Sequence, residues 1–365
     1  GDVPALDAQA SFREPPSDSL SIMLQLNLLS KFGDGKDNGP FNFPWQGSAI
    51  QEFRARLRSG DSVALKVEPK TPQQVRNFDM LTYLGSVDGF ACIFECAEVE
   101  DQFYILEEVV EDLGLDARIR FLRQLGEPGT HLMSLDEGLP ILADLLRGAR
   151  SLEQKDVVHH DLTGPKSIGL GSDWKAGRKY KAVITDLGAK ACVLGGREDS
   201  LSCRSLLDAG VLTAASSVAP EPMAASNNVW QVGQLYGKMM FGECPTNLFL
   251  RGLLGDDAPE SASSEEERDR IRGMLREKFS VADIRGFKAF EEERPAEARI
   301  LAGLLETDPT KRWSASQALD ELAQVMALRT LEMPKPPNRV DLRSELDLGD
   351  FFPVPMPKRP LNMAA

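Results

Sequence analysis

Three short segments carry a lysine or an aspartate inside otherwise apolar, β-type sequence: VALK (63–66), VHHDLTGPKSIGL (158–170) and VITDLGAK (183–190). Embedding of this kind aims Lys66, Asp161 and Asp186 into one crevice. There an amine can neutralise an anionic group, and carboxylates can take a proton or hold a metal. Singly, each segment is ordinary, because a lysine ending an apolar strand is commonly an edge residue with its head in water. Order and spacing make them a set. A zinc centre is not expected, since Cys92, Cys96, Cys192, Cys203 and Cys244 form no CxxC pair and only three histidines are present. The odd cysteine count leaves the redox compartment open.

The elements that must position these groups follow from hydrophobic period. Phe53, Ala55 and Leu57 alternate, as do Val63, Leu65 and Val67 beyond the turn Ser59-Gly60-Asp61. That is a hairpin half buried on one face, with Ala64 and Lys66 on the other. FACIFECAEV and QFYILEEVV predict a second strand pair, and TPQQVRNFDMLTYL between the pairs is one helix with Pro72 in its first turn. From about residue 112 the pattern turns helical. Ile141, Leu142, Leu145, Leu146 and Leu152 share one face; Ile271, Met274, Leu275 and Phe279 share another; Ile300, Leu301, Leu304 and Leu305 a third. Ser314 and Gln317 stand at capping-box spacing. The acidic stretch 255–270 reads as a solvated insertion, and the seven prolines of 334–360 as an extended tail. The chain thus divides into an extension (1–40), a β-rich part (41–110), a helical part (111–333) and a tail (334–365). The class is α+β, with a cleft between the two central parts where a small molecule would sit.

Of 365 residues, 42 are Lys or Arg and 56 Asp or Glu, a formal net charge of −14 that argues against a broad nucleic-acid surface. No apolar run approaches the ~20 residues of a membrane-spanning helix, so the sequence reads as a soluble chain. It begins at Gly1, so the lack of a visible leader says nothing against secretion.

Over about residues 45–330 the sequence resembles a protein kinase domain. VALK, HHD (159–161) and DLG (186–188) match its lysine and aspartate motifs. VAPE (218–221) looks like the close of the activation segment, NNVWQVGQLYGKMMFGECP (227–245) like the central helix of the large lobe, and DPTKRW (308–313) like the late motif whose Arg312 pairs with Glu221. The resemblance implies a bilobal fold, a small β-rich N-lobe and a larger helical C-lobe. It implies a nucleotide position lined by Lys66, Ala64 and Leu106, with Lys66 as the phosphate lysine, Asp161 as the catalytic base and Asp186 as the metal ligand.

Fold is not activity, and four departures from the family pattern bear on it. The stretch GPFNFPWQGSAIQEF (39–53) offers only Gly39 and Gly47 where a Gly-rich phosphate cover is expected. Lys166 replaces the asparagine that holds the second metal. A cation ~4 Å from Mg²⁺ would be repelled by roughly 8 kcal/mol at an effective dielectric of about 20, or Lys166 could pair with Asp186 in the metal's place. The helix after Lys66 places Asn77, with Asp79 as a misphased substitute, where a glutamate should orient the lysine. Finally, His160 stands where an arginine reads a phosphorylated activation segment, and Asn228 where an acidic residue braces the catalytic loop. Ser200, Ser202, Ser205 and Thr213 read as a solvated serine-rich loop (189–217). His159, Trp230 and Trp313 read as packed structural residues.

Domains that keep the lysine and both aspartates but lack the Gly-rich loop are similar to the secreted rhoptry-kinase group of apicomplexan parasites, in its with-no-Gly-loop branch. Loss of the metal-binding asparagine points to that branch's pseudokinases. The resemblance implies secretion to the parasitophorous vacuole or cyst wall, vacuolar or cyst-wall protein partners, and no cofactor. The alternative is an active, atypical Ser/Thr protein kinase using ATP and Mg through Lys66, Asp161 and Asp186.

Overall fold

The computed structural model describes residues 51–56, 62–84, 87–99, 101–110, 113–125, 132–159, 161–165, 167–173, 178–185, 192–194, 213–221, 224–259, 261–262 and 264–332. The 1–40 extension, most of the 39–53 stretch, His160, Lys166, Asp186, most of the 189–217 loop and the 334–365 tail lie outside the described residues, as does the Asn77 side chain. The class is α+β. Contacts divide the chain into two units, 1–325 and 326–365.

The first sheet has strand order β1-β2-β4-β3, all antiparallel: β1 Gln51–Arg56, β2 Ser62–Pro69, β3 Ile93–Val99 and β4 Gln102–Glu108. Phe53 lies opposite Leu65 and Ala55 opposite Val63, as the alternation requires. Burial is not confined to one face. Ala64, Phe103 and Ile105 are buried on the Lys66 side, and Val67, Tyr104 and Leu106 on the other. Of these, the period-2 pattern anticipated only Val67. The first set is covered because helix α1 (Pro72–Leu84) lies on the Lys66 face, stacking Phe78 on Phe103 with ring centroids 4.4 Å apart.

The loop after α1 ties this sheet to the helical part. Gly89 accepts from the Ile184 amide (2.9 Å), and Ala91 donates to the Ile184 carbonyl (3.0 Å). A Cβ on Gly89, whose φ is +86°, would lie 2.4 Å from the Gly148 nitrogen, so only glycine permits this approach. Nearby, the Tyr83 hydroxyl donates to the Lys155 carbonyl (2.9 Å), and the Lys155 ammonium returns to the Tyr83 carbonyl (3.1 Å).

The helical part is built on α3 (Leu135–Gln154) and α4 (Ser226–Phe241). Ile141, Leu142, Leu145, Leu146 and Leu152 of α3 are all fully buried, as their spacing predicts. Each such leucine contributes about 1.5–3 kcal/mol by leaving water. Between α3 and α4 the chain forms β6 (Val157–His159), the hairpin β7 (Ile168–Asp173) and β8 (Arg178–Ile184), and β9 (Cys192–Leu194), which pairs with β6. β7 also pairs with the short β5 (Leu113–Gly114), which leads into α2 (Leu115–Leu125). After α4 come α5 (Pro245–Leu254), α6 (Glu265–Lys278), α7 (Phe287–Glu293), α8 (Pro295–Leu304) and α9 (Ala315–Glu332). The acidic 255–270 stretch is more than a solvated insertion. Its Ser261–Ala262 strand, β11, pairs with β10 (Thr213–Ala214), and its end is the first turn of α6, capped by Ser264.

The start of α9 joins two helices. Ser314 Oγ accepts from the Gln317 amide (3.2 Å), Gln317 Oε1 accepts from the Ser314 amide (2.9 Å), and Glu153 Oε2 from the end of α3 accepts from the Ala315 amide (3.1 Å). Burial raises the Glu153 carboxyl above the ordinary glutamate range, and the Ala315 amide partly offsets this. The folded state therefore holds this proton more tightly than the unfolded chain. The contribution is full below the unfolded pKa and is lost as pH rises through the raised folded value. Wild type should lose stability relative to Glu153→Gln as pH goes from about 4 to about 7 in urea unfolding; a pH-independent difference would refute the assignment.

Candidate functional site

Lys66 and Ala64 point to the same face of β2. Across the ladder, Ala64 is opposite Glu107 and Lys66 opposite Ile105. Glu107, two residues beyond Ile105, reaches diagonally so that its Oε1 stands 2.5 Å from the Lys66 ammonium, with the side chains 30 and 22% exposed. The lysine thus has a carboxylate partner from its own sheet. The expectation that, with the helix glutamate lost, Lys66 lacks a carboxylate partner is thereby corrected. Asp79 on α1 is exposed. Leu106, expected beside Ala64 and Lys66, lies on the opposite face, because successive strand residues alternate.

The aspartate segments converge on the seam below this sheet. Thr185, next to Asp186, donates its amide to the Ser167 carbonyl (2.9 Å). Ser167, next to Lys166, donates its hydroxyl to the Asp161 carbonyl (2.6 Å). A Cβ built on Gly169 would lie 3.0 Å from both Thr185 Cγ2 and Val110 Cγ1, which brings the chain leaving β4 to the same place. The backbones at 161, 167 and 185 are therefore stitched together. Among the described residues no group of three or more His, Cys, Asp or Glu side chains could hold a metal ion.

Asp161 sits at a corner with few repeating hydrogen bonds of its own, so neighbouring side chains supply them. Asn228 of α4, fully buried, accepts from the His159 amide (2.8 Å) and donates to the Val157 carbonyl (2.7 Å). Gln231, one turn on, accepts from the Leu162 amide (2.8 Å) and donates to the His159 carbonyl (2.5 Å). His159 is buried and takes the Asp161 amide on Nδ1 (3.1 Å). Asn228 is thus a complete brace under the corner, where the sequence suggested a weakened one.

The Asp161 side chain engages the segment that precedes α4. Its Oδ1 accepts from the Ser217 hydroxyl (2.8 Å), and Thr163 shares hydrogen bonds with Ser216 (2.7 Å) and Ser217 (2.6 Å). Ala215, Ser216 and Ser217 are all buried. A Cβ on Gly164 would fall 2.6 Å from Asp161 Oδ2, so a side chain here would push that carboxylate aside. Behind the corner a cavity of about 30 Å³, room for one water, is lined by His159, Ser217, Gln231, Arg268 and Arg272.

Further along, Glu221 is paired with Arg312 as the motifs predict. Arg312 Nη2 stands 2.8 Å from Oε2, Nη1 bonds Oε1, Nε donates to the Glu306 carbonyl (2.8 Å), and the guanidinium lies over Trp230. Trp230 is fully buried, whereas Trp313 is only partly so. Sequence reasoning missed Glu107 and Ser217. Glu107 is the first of the two glutamates that close the QFYILEE run, but its pairing depends on register, and Ser217 lies 56 positions from the aspartate it meets.

The sequence matches no family model and no curated protein.

An aspartate at 228 could not donate to the Val157 carbonyl and would bury a charge beside it. Asn228→Asp should therefore destabilise by about 3 kcal/mol in urea unfolding; an unchanged midpoint would contradict the brace. Cys244 directly precedes α5 and is buried, which pushes its thiol up to about 11. Iodoacetamide at about pH 8 should leave it unmodified in the native chain and label it after unfolding, as mass spectrometry of peptides would read. Labelling of Cys244 in the native state would contradict the burial.

Proposed function

We propose that this chain is a pseudokinase: a bilobal, kinase-like scaffold secreted to the parasite vacuole or cyst wall, acting through contacts with proteins there. On this reading β1–β4 with α1 form the small lobe, α3 to α9 the large one, and the seam at Val110, Gly169 and Thr185 is the disused nucleotide cleft. The buried Glu221–Arg312 pair, joining motifs 91 positions apart, supports the kinase-like part of the reading. Within the loop-less branch the sequence most resembles the bradyzoite pseudokinase, and the location comes from that resemblance. A net charge of −14 supports protein over nucleic-acid partners.

One observation carries the catalytic half of the proposal. A general base must lie within about 2.6–3.2 Å of the group whose proton it takes. Ser217 Oγ stands at 2.8 Å from Asp161 Oδ1, a hydroxyl of the chain itself at the distance a substrate hydroxyl would need. Thr163 and Ser216 hold that serine in place. Lys166 replaces the asparagine that the resemblance assigns to the second metal, which supports a site without a metal-bound nucleotide.

An active, atypical Ser/Thr kinase is the second reading, favoured by the Lys66–Glu107 pair, because a carboxylate could orient the lysine from a strand as well as from a helix. Two measurements separate the readings. Adding ATP and Mg should leave the melting temperature unchanged, since a ligand that binds only the folded state must raise it. Radiolabel should not pass from ATP to vacuolar or generic protein substrates. Transfer that disappears in Asp161→Ala would establish the enzyme and end the scaffold reading.

A further inference from the structure

Glu107 can stand to Lys66 in either of two ways, as an orienting partner or as an occupant of the place an anionic ligand would take. Its position along the sheet separates them. Phe78 of α1 stacks on Phe103, so the helix covers the Lys66 face at the Phe103 end of β4. A carboxylate arriving from that side would hold the lysine from behind and leave its front to a ligand. Glu107 lies four positions along, at the other end of β4, where the chain turns through Val110 to meet Gly169 and Thr185. It approaches Lys66 from the seam.

Ala64 makes this reach possible. It lies directly opposite Glu107 on the same face and is almost fully buried, and its methyl group is small enough to let the glutamate stem cross the sheet toward Lys66. Both partners of the pair remain partly exposed, so the carboxylate is open to exchange with a solvent-borne anion. A polyphosphate coming to Lys66 would have to displace Glu107 and then remain beside a like charge.

From this placement we infer that Glu107 is an internal anion that keeps Lys66 from taking the phosphates of a nucleoside triphosphate. It is the residue that determines the cleft's indifference to that ligand class. The inference rests on reading the seam as a disused nucleotide cleft, and it assigns the part that Lys66 plays in that disuse to one side chain that can be changed. Glutamine at 107 keeps the length and the strand while removing the charge.

The test is calorimetric titration of the full 365-residue chain with inorganic tripolyphosphate and, separately, with ATP and Mg. Wild type, Glu107→Gln, and the double variant Lys66→Met with Glu107→Gln are compared. Glu107→Ala replaces the glutamine variant should the latter melt early. The expected result is at least tenfold tighter polyphosphate binding in the single variant than in wild type, lost again in the double variant. No gain in folded Glu107→Gln and Glu107→Ala would overturn the inference and leave the pseudokinase reading standing. Wild type binding ATP with Mg, and binding it more weakly once Glu107 is removed, would overturn both, because Glu107 would then be the orienting group.

Discussion

A corner of chain inside a protein must have its amides and carbonyls met, and here the corner at 157–163 is met by two uncharged side chains from a buried helix. Asn228 and Gln231 offer one acceptor and one donor each, and together they satisfy Val157, His159 and Leu162. Gln234, one turn further, does the same for the start of α5 by accepting from the Thr246 amide at 2.8 Å. Amides suit this task because they both donate and accept without a charge to desolvate. The position of Asp161, and through Ser167 of everything stitched to it, depends on this row.

The charged pairs divide into two kinds. Arg312 with Glu221 is deeply buried, bidentate and further bonded to the Glu306 carbonyl, so its charges are compensated on every side. Removing one partner would leave a buried charge, which makes the pair a clamp on the architecture. Lys66 with Glu107 is part-exposed and spans one sheet diagonal. Water screens it, so it adds little to stability and can exchange. The first pair maintains the fold; the second, on the inference drawn from its placement, governs what the seam accepts.

Much of the fold was legible because hydrophobic spacing is a local property. The α3 leucines, the Ser314–Gln317 cap and the β1–β2 alternation all follow from neighbours a few positions apart. Burial of the Lys66 face was not legible, since it depends on where α1 lies rather than on the strand's own pattern. The 255–270 stretch misled for a related reason: its composition is that of a solvated loop, yet its backbone pairs as β11, and backbone hydrogen bonds do not depend on side-chain polarity. Leu106 was placed among the ligand-lining residues by analogy of position, and a one-residue alternation put it on the other face.

The sequence by itself determined which residue types are present for chemistry: one lysine in VALK, an aspartate at 161, and an amide at 228. The pairing of Glu221 with Arg312 was expected only from a resemblance, and the structure forms it. Only the tertiary structure decided what those groups face. Glu107 meets Lys66 through strand register, and Ser217 meets Asp161 across 56 positions of chain. Spacing along a chain constrains contacts within a turn or a strand, whereas contacts between distant segments are set by how whole elements pack.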